Sequence, residues 1–153
     1  MIADIWSRER GIPCDWENVI VTPGGKPIMF YTMLALLDPG DEVLLPNPAC
    51  PIYESVVNFL GARPVDLPLL DTNDFDLHLK DLESKVTSRT RLLIMNSPQN
   101  PTGGVLRPET VEGIPAIARK HGEGHVRFSY AISLENLQLA LESICAFLAK
   151  AKK

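Results

Sequence analysis

Two short runs of glycine, proline and polar residues follow apolar stretches of strand length. The first is Thr22-Pro-Gly-Gly-Lys26, after residues 19–21, and the second is Ser97-Pro-Gln-Asn-Pro-Thr-Gly103, after an apolar run that begins at Leu92. In an open α/β sheet, ligands bind in the crevice beyond the carboxyl ends of the strands. Asn-Pro and Thr-Gly are also ordinary turn dipeptides, so each run alone is compatible with a simple turn. Their joint presence indicates a ligand site built from loops.

The first run has the composition of a phosphate-binding turn. A strand, a Gly-Gly turn and a helix N-terminus leave backbone amides pointing outward, and the helix dipole favours an anion. These amides belong to Gly25 and Lys26, and Pro27 suits the first turn of a helix because its missing N–H would be unpaired there. The run is not a Walker loop, since G-x-x-x-x-G-K-[ST] is absent. On the residues alone, a helix-entry turn without a ligand stays open as the alternative.

Composition limits the classes of protein to consider. The chain has 153 residues, 45% of them hydrophobic and 22% charged, and a net charge of −4. This is enough for a packed core, and no basic footprint indicates nucleic acid or an anionic membrane. No apolar stretch approaches the ~20 residues that cross a bilayer. The first ten residues lack a basic segment followed by an apolar block, so we expect no secretory signal.

The cysteines and histidines do not have the spacing of a metal site. Cys14, Cys50 and Cys145 are scattered and odd in number, and the three histidines lack metal-ligand spacing. A disulfide framework is therefore not expected, and free thiols fit a reducing cytoplasm. We predict no metal and a cytoplasmic location.

Predicted strands alternate with predicted helices along the chain. Strands are predicted at 19–21, 42–45, 63–67, 91–95 and 126–130, and helices at 2–10, 27–37, 52–60, 108–121 and from 134 onward. Such alternation predicts parallel βαβ units and an α/β fold, a three-layer sandwich with a mostly parallel sheet. Asp76 is expected to cap a helix that carries Leu79 and Leu82. Pro115 is expected either to kink the helix at 108–121 or to delay its start to Ile114.

Taken together, the two runs and the segments around them resemble the pyridoxal-phosphate-dependent aminotransferases of class I/II. Thr22–Lys26 resembles the loop that binds the cofactor phosphate, and Asp38-Pro-Gly-Asp-Glu-Val43 the strand entry that follows. Asn47-Pro48 with Tyr53 resembles the next loop of the family. The resemblance implies that residues 1–121 form part of the family's large domain, and that 122–153 are a strand and helix of its small domain.

The resemblance also implies roles for individual residues. Gly25 and Lys26 would bind the phosphate of pyridoxal phosphate, and Asn100 would donate a hydrogen bond to its phenolic oxygen. Arg127 falls where the family's arginine binds the substrate α-carboxylate, a task suited to a bidentate guanidinium. Cys50 falls where the family places an aromatic residue against the pyridine ring. The partners implied are an amino acid or a 2-oxo acid and further copies of the chain.

The resemblance further implies a strand order and two unusual peptide bonds. The strands at 64–67, 43–46 and 91–95 would be neighbours, with 19–22 at the far edge, and Val126–Tyr130 or a second subunit would fill the gap. Asn47-Pro48 and Asn100-Pro101 are candidates for cis peptide bonds, although only ~5% of X–Pro bonds are cis.

The departures from the family concern its catalytic groups. Between residues 122 and 124 the family has a long segment that carries an aspartate, a tyrosine and the lysine that binds the cofactor covalently. No Asp-x-x-Tyr occurs here, and Ser84-Lys85 lies where the family has no catalytic group. We therefore assign no catalytic residue and expect a catalytically incomplete relative. The alternatives left open are a non-catalytic phosphate-binding or dimerising scaffold and recruitment of Lys26 as the catalytic lysine.

Overall fold

The structure is a computed structural model, and it describes residues 2–10 and 13–121. The chain divides into two compact units, Met1–Leu36 and Leu37–Lys153. The predicted strand at 126–130, the helix from 134 and the proposed second segment 122–153 lie outside the described residues. No helix in the described ranges is long and apolar enough to cross a membrane.

The first unit contains helices and turns. Helix α1 spans Ile2–Arg10, a 3-10 turn spans Trp16–Asn18, and helix α2 spans Gly25–Leu36. The predicted strand at 19–21 is wrong, because these residues pair with no strand in the described part of the chain. Ile20 and Val21 are 83% and 75% exposed. Their apolar, β-branched character indicated a buried strand, but a strand forms only where a neighbour accepts its backbone hydrogen bonds.

As far as residue 121, the second unit is built on a three-stranded parallel sheet. Strand β1 spans Glu42–Asn47, β2 spans Arg63–Pro68 and β3 spans Thr90–Leu93, in the order β2-β1-β3. Leu44 of the central strand is in register with Val65 and Leu93. The predicted order of these three strands is confirmed. The central strand is apolar at consecutive positions because it is buried on both faces, as expected of parallel sheets.

Helices α3, α4 and α5 span Pro51–Phe59, Leu79–Lys85 and Pro108–His121 and complete the α/β fold. A core of aliphatic side chains joins the sheet to α4 and α5. Each Å² of apolar surface that it removes from water stabilises the fold by about 25 cal/mol. Its buried members are Leu44, Leu67, Leu69, Leu77, Leu82, Met95 and Ile114.

Two local predictions in this unit need correction. The residue that precedes α4 as its N-cap is His78, not Asp76. The Asp76 carboxylate is buried and instead accepts hydrogen bonds from the Leu77 amide and from Thr110 Oγ1 of α5, both at 2.9 Å. Helix α5 runs from Pro108 through Pro115, so its start is not delayed to Ile114. Pro115 has no N–H, so the helix lacks one backbone hydrogen bond there. Packing of one face of α5 against the core offsets this loss.

Candidate functional site

The turn that enters α2 leaves two backbone amides without helical partners. Gly24 has φ +94°, a left-handed conformation that glycine adopts without strain. Thr22 closes the turn, because its Oγ1 donates to the Gly24 carbonyl at 2.7 Å and its own carbonyl accepts from the Gly24 amide at 2.8 Å. Gly25 and Lys26 are exposed in the first helical turn, where N–H groups have no acceptor within the helix. This turn therefore presents two donors without an acceptor in their own helix, at the positive end of the helix dipole.

In the second unit, two loops begin at the same edge of the sheet. β1 and β3 are adjacent and parallel, so their carboxyl ends lie side by side. The first loop, residues 48–50, leads from β1 into α3 and carries Cys50. The second loop, residues 94–107, leads from β3 into α5 and carries Asn100. This edge is where ligands bind in open parallel sheets.

Gln99 joins these two loops. Its side chain is only 4% exposed, and Nε2 donates to the Pro48 carbonyl at 2.6 Å. Its Oε1 accepts from the amide and from Oγ1 of Thr102, at 3.0 and 2.8 Å. Its backbone carbonyl accepts from the Gly103 amide at 2.7 Å. Gln99 therefore closes the turn that contains Asn100 and connects it to the loop of Cys50.

Two asparagines of the second loop have unused hydrogen-bonding groups. The exposed Asn100 side chain makes no hydrogen bond with any described residue, so its amide is available to a ligand. Asn96 donates from Nδ2 to the Pro98 carbonyl at 3.1 Å, while its buried Oδ1 has no partner within residues 2–10 and 13–121. A buried acceptor without a donor costs about 1–3 kcal/mol. Among the described residues, the loop thus offers the unpaired side-chain amide of Asn100 and the buried, unpaired Oδ1 of Asn96.

Cys50 and Tyr53 lie at the start of α3. The Cys50 thiol is free and half-buried, and its carbonyl accepts a hydrogen bond from the Tyr53 amide at 3.1 Å. Burial raises the pKa of the Tyr53 phenol, and the nearby Cys50 raises it further. Tyr53 therefore keeps its proton at neutral pH and can act as a hydrogen-bond donor.

The structure places the predicted site residues in two groups. Gly25 and Lys26 begin α2 in the first unit, whereas Cys50 and Asn100 lie on the two joined loops of the second. Arg127 lies outside the described residues. No group of acidic, cysteine or histidine side chains in the described ranges could hold a metal ion.

The peptide-bond predictions are confirmed, because Asn47–Pro48 and Asn100–Pro101 are both cis. Ser97–Pro98 is also cis, which the sequence did not predict. Lys85 is not expected to be a catalytic lysine, because Ser84-Lys85 lies where the family has no catalytic group. In the structure its Nζ donates to the Asp66 carbonyl.

Sequence reasoning missed Gln99 and Asn96. Both are amide side chains in a proline-rich turn directly after a buried strand, and that position is the signal that would have identified them.

Comparison with known proteins decides the family. The model of the family described as "Aminotransferase class I and II" matches residues 1–144. The chain belongs to this family.

Individual relatives agree with the family match. The aspartate aminotransferase of Musicola paradisiaca is 39% identical over 121 residues, which are 78% of this chain and 30% of that protein. A probable aspartate/prephenate aminotransferase of Aquifex aeolicus is 37% identical over 121 residues, covering 79% of this chain and 31% of the relative. The chain thus spans about a third of the length of the aminotransferases it matches.

Solved structures show the same fold. The aspartate aminotransferase from Thermus thermophilus with maleate superposes with a TM-score of 0.76 and 36% identity, covering 84% of this chain and 33% of that one. The alanine aminotransferase from Pyrococcus furiosus gives a TM-score of 0.75 at 32% identity, covering 84% of this chain and 32% of that one. The α/β fold with its parallel sheet is therefore the aminotransferase fold.

Members of this family use pyridoxal phosphate, and the described residues fit parts of that cofactor. The first-turn amides of Gly25 and Lys26 suit a phosphate dianion, and the exposed side-chain amide of Asn100 suits an acceptor oxygen. Cys50 does not fit the remaining requirement, because a thiol cannot stack on a pyridine ring as an aromatic side chain does.

Proposed function

We propose that this chain binds pyridoxal phosphate noncovalently and derives from aminotransferases that act on amino acids and 2-oxo acids. The observation that carries the proposal is the entry of α2, where a glycine at φ +94° precedes two first-turn amides that have no acceptor within the helix. The relatives named as aspartate and alanine aminotransferases support the substrate class. The free thiols of Cys14 and Cys50 support a cytoplasmic location.

The proposed contacts are of different strengths. Hydrogen bonds to a charged group contribute about 1.5–3 kcal/mol each, and the helix dipole adds about 0.3–1 kcal/mol. The amides of Gly25 and Lys26 would therefore supply most of the affinity, through the phosphate. Asn100 would add one hydrogen bond to the phenolic oxygen, and Cys50 would contribute only packing. Arg127 is proposed to bind the substrate carboxylate.

Transaminase turnover requires a catalytic lysine, and the resemblance identifies none among the proposed site residues. When bound, the cofactor provides an electron sink for carbanion chemistry, and a lysine amine must bind it and move the proton between carbon atoms. The family resemblance assigns none of the 153 residues to the position of that lysine. Lys85 is held by the Asp66 carbonyl, and Lys26 is the nearest alternative because it lies in the phosphate-binding turn. We expect this polypeptide to have little or no transaminase activity.

The test combines an activity assay with chemical trapping. Protein, pyridoxal phosphate, an amino acid and a 2-oxo acid are mixed, and product formation is compared with that of free cofactor. A parallel sample is reduced with borohydride and digested to locate any lysine that has bound the cofactor. Lys26→Ala is compared with Lys80→Ala, which changes an exposed lysine of α4. Rates equal to free cofactor support the proposal, whereas turnover well above it, abolished only by Lys26→Ala, overturns it and favours a recruited lysine.

A second candidate function is that of a dimerising scaffold. In the described part of the second unit, β2 and β3 each pair on one side only, with β1. Unpaired strand edges are sites of association with another chain. We therefore propose that the protein forms a homodimer or higher oligomer. Sedimentation analysis should show this species at micromolar concentration, and a monomer at all concentrations would contradict it.

A further inference from the structure

Gln99 is a buried polar side chain whose hydrogen bonds serve two loops at once. Three of them involve its side-chain amide, which contacts the Pro48 carbonyl and both the amide and hydroxyl of Thr102. A buried amide in a loop needs such partners, because each unsatisfied polar group that is buried destabilises the fold. The side chain is therefore fixed in one orientation by partners on either side.

The hydrogen bond from Gln99 to Pro48 connects the loops that carry Cys50 and Asn100, the two residues of the second unit proposed to contact the cofactor. Pro48 precedes Cys50 by two residues, and Asn100 follows Gln99 directly. Within residues 2–10 and 13–121, this is the one hydrogen bond between loop 48–50 and loop 94–107. The Asn100 side chain makes no such bond itself, so its position depends on its neighbours.

We propose that Gln99 is a positioning residue for the pyridoxal-phosphate site, one that fixes the separation between the loops of Cys50 and Asn100. This inference rests on the proposed function. Without the Nε2 donor the Pro48 carbonyl loses its partner, and the loops are free to separate. Asn100 must then be ordered when the ligand binds, and that ordering weakens affinity.

Two variants distinguish the effect of the Gln99 Nε2 donor from the effect of the side-chain volume. Gln99→Met keeps a similar volume and removes every polar group. Gln99→Glu keeps an acceptor for Thr102 but places an oxygen opposite the Pro48 carbonyl. Burial raises the pKa of such a carboxyl, and its protonated form donates again. Thr110→Val is the matched control, because it removes a buried hydrogen bond to Asp76 and leaves the contacts of Gln99 with Pro48 and Thr102 in place.

The probe is pyridoxine 5′-phosphate, in which an alcohol replaces the aldehyde, so that it cannot react with lysines. Its Kd is measured by calorimetry for each variant, after circular dichroism confirms that the protein is folded. Gln99→Met should raise the Kd about tenfold, which corresponds to 1.4 kcal/mol. For Gln99→Glu, the Kd should exceed that of wild type at about pH 7.5 and equal it at about pH 5.5, with both proteins measured at both pH values. Thr110→Val should leave it unchanged.

A second measurement follows the loops without a ligand. With Cys14 and Cys145 replaced by serine, Cys50 is the only thiol, and its rate of reaction with an aromatic disulfide reports the opening of loop 48–50. Gln99→Met should increase this rate, and Thr110→Val should not.

The outcomes are distinguishable. Wild type that fails to bind the probe overturns the proposed function and this inference with it. If wild type binds and Gln99→Met binds equally well, with an unchanged Cys50 rate, only the role of Gln99 is overturned. Weaker binding, faster Cys50 reaction and recovery of Gln99→Glu at low pH support it.

Discussion

Replacement of Glu42 by glutamine tests the anchoring of the central strand. Glu42 begins β1 and is 3% exposed, and its carboxylate accepts from Thr87 Oγ1 at 2.6 Å and from Arg89 Nη2 at 2.9 Å. An ion pair with Arg63 of β2 lies at 3.9 Å. Glu42 thus ties the start of β1 to β2 and to the turn that precedes β3. The loops of the candidate site follow the other, carboxyl ends of β1 and β3.

The expected loss follows from these contacts. The hydrogen bond from Thr87 to a buried charge contributes about 1.5–3 kcal/mol. The two arginines are 62% and 68% exposed, so their attraction is screened by water, and each surface pair contributes about 0–1 kcal/mol. Glutamine retains one acceptor oxygen. We therefore expect Glu42→Gln to lower the free energy of unfolding by about 2 kcal/mol at neutral pH.

The pH dependence gives an independent check. The hydrogen bond from Thr87, assisted by Arg89 and Arg63, holds the pKa of Glu42 below its ordinary value of 4.5. The unfolded chain then binds a proton more readily than the folded one, so this stabilisation is present above pH 4.5 and is lost as pH falls through the lowered folded value. The difference between wild type and Glu42→Gln should shrink over that window.

Urea unfolding followed by circular dichroism measures this effect. Tryptophan fluorescence is unsuitable, because Trp6 and Trp16 both belong to the first unit. The control is Glu54→Gln, an exposed residue of α3 for which a change within about 0.5 kcal/mol is expected. A loss at Glu42 no larger than at Glu54, or a difference that persists unchanged at about pH 3, would refute the reasoning.

Three further substitutions test side-chain packing and hydrogen bonding in the second unit, all by urea unfolding. Gly104→Ala should destabilise by about 1–3 kcal/mol, because the added Cβ would lie 2.7 Å from Phe75 Cβ and 2.9 Å from a backbone oxygen. Gly113→Ala should cost less, since its clash is with the movable side chain of Leu79 and alanine favours a helix; equal losses would contradict this. Thr110→Val should cost about 1.5–3 kcal/mol because the buried Asp76 carboxylate loses a donor, and a neutral effect would show that this bond contributes little.

Much of the second unit could be predicted from the sequence because its elements have clear local signals. The continuous apolar run from Val43 to Leu45 marks a strand buried on both faces, and Gly61 marks the end of α3. The order of the three strands came from the family resemblance, since periodicity does not specify which strands are neighbours. The cis bonds before Pro48 and Pro101 likewise depended on the resemblance.

The failures have a common physical origin. Ile20 and Val21 have strong strand propensity, but propensity does not supply the partner that a strand requires. Asp76 has the side chain of an N-cap, yet its carboxylate accepts a hydrogen bond from Thr110, 34 residues away. Gln99 acts through Pro48, 51 residues away. Each of these depends on long-range contacts that no local pattern encodes.

The central claim is that the free amides of Gly25 and Lys26 bind the phosphate of the cofactor. Calorimetric titration with pyridoxine 5′-phosphate and with pyridoxine, which lacks the phosphate, measures this directly. We predict saturable binding of the phosphate ester with a Kd between about 10 μM and 1 mM, and binding of pyridoxine at least about tenfold weaker. Inorganic phosphate should compete with the ester. Equal binding of the two compounds, or no saturable binding of the ester at millimolar concentration, would contradict the claim.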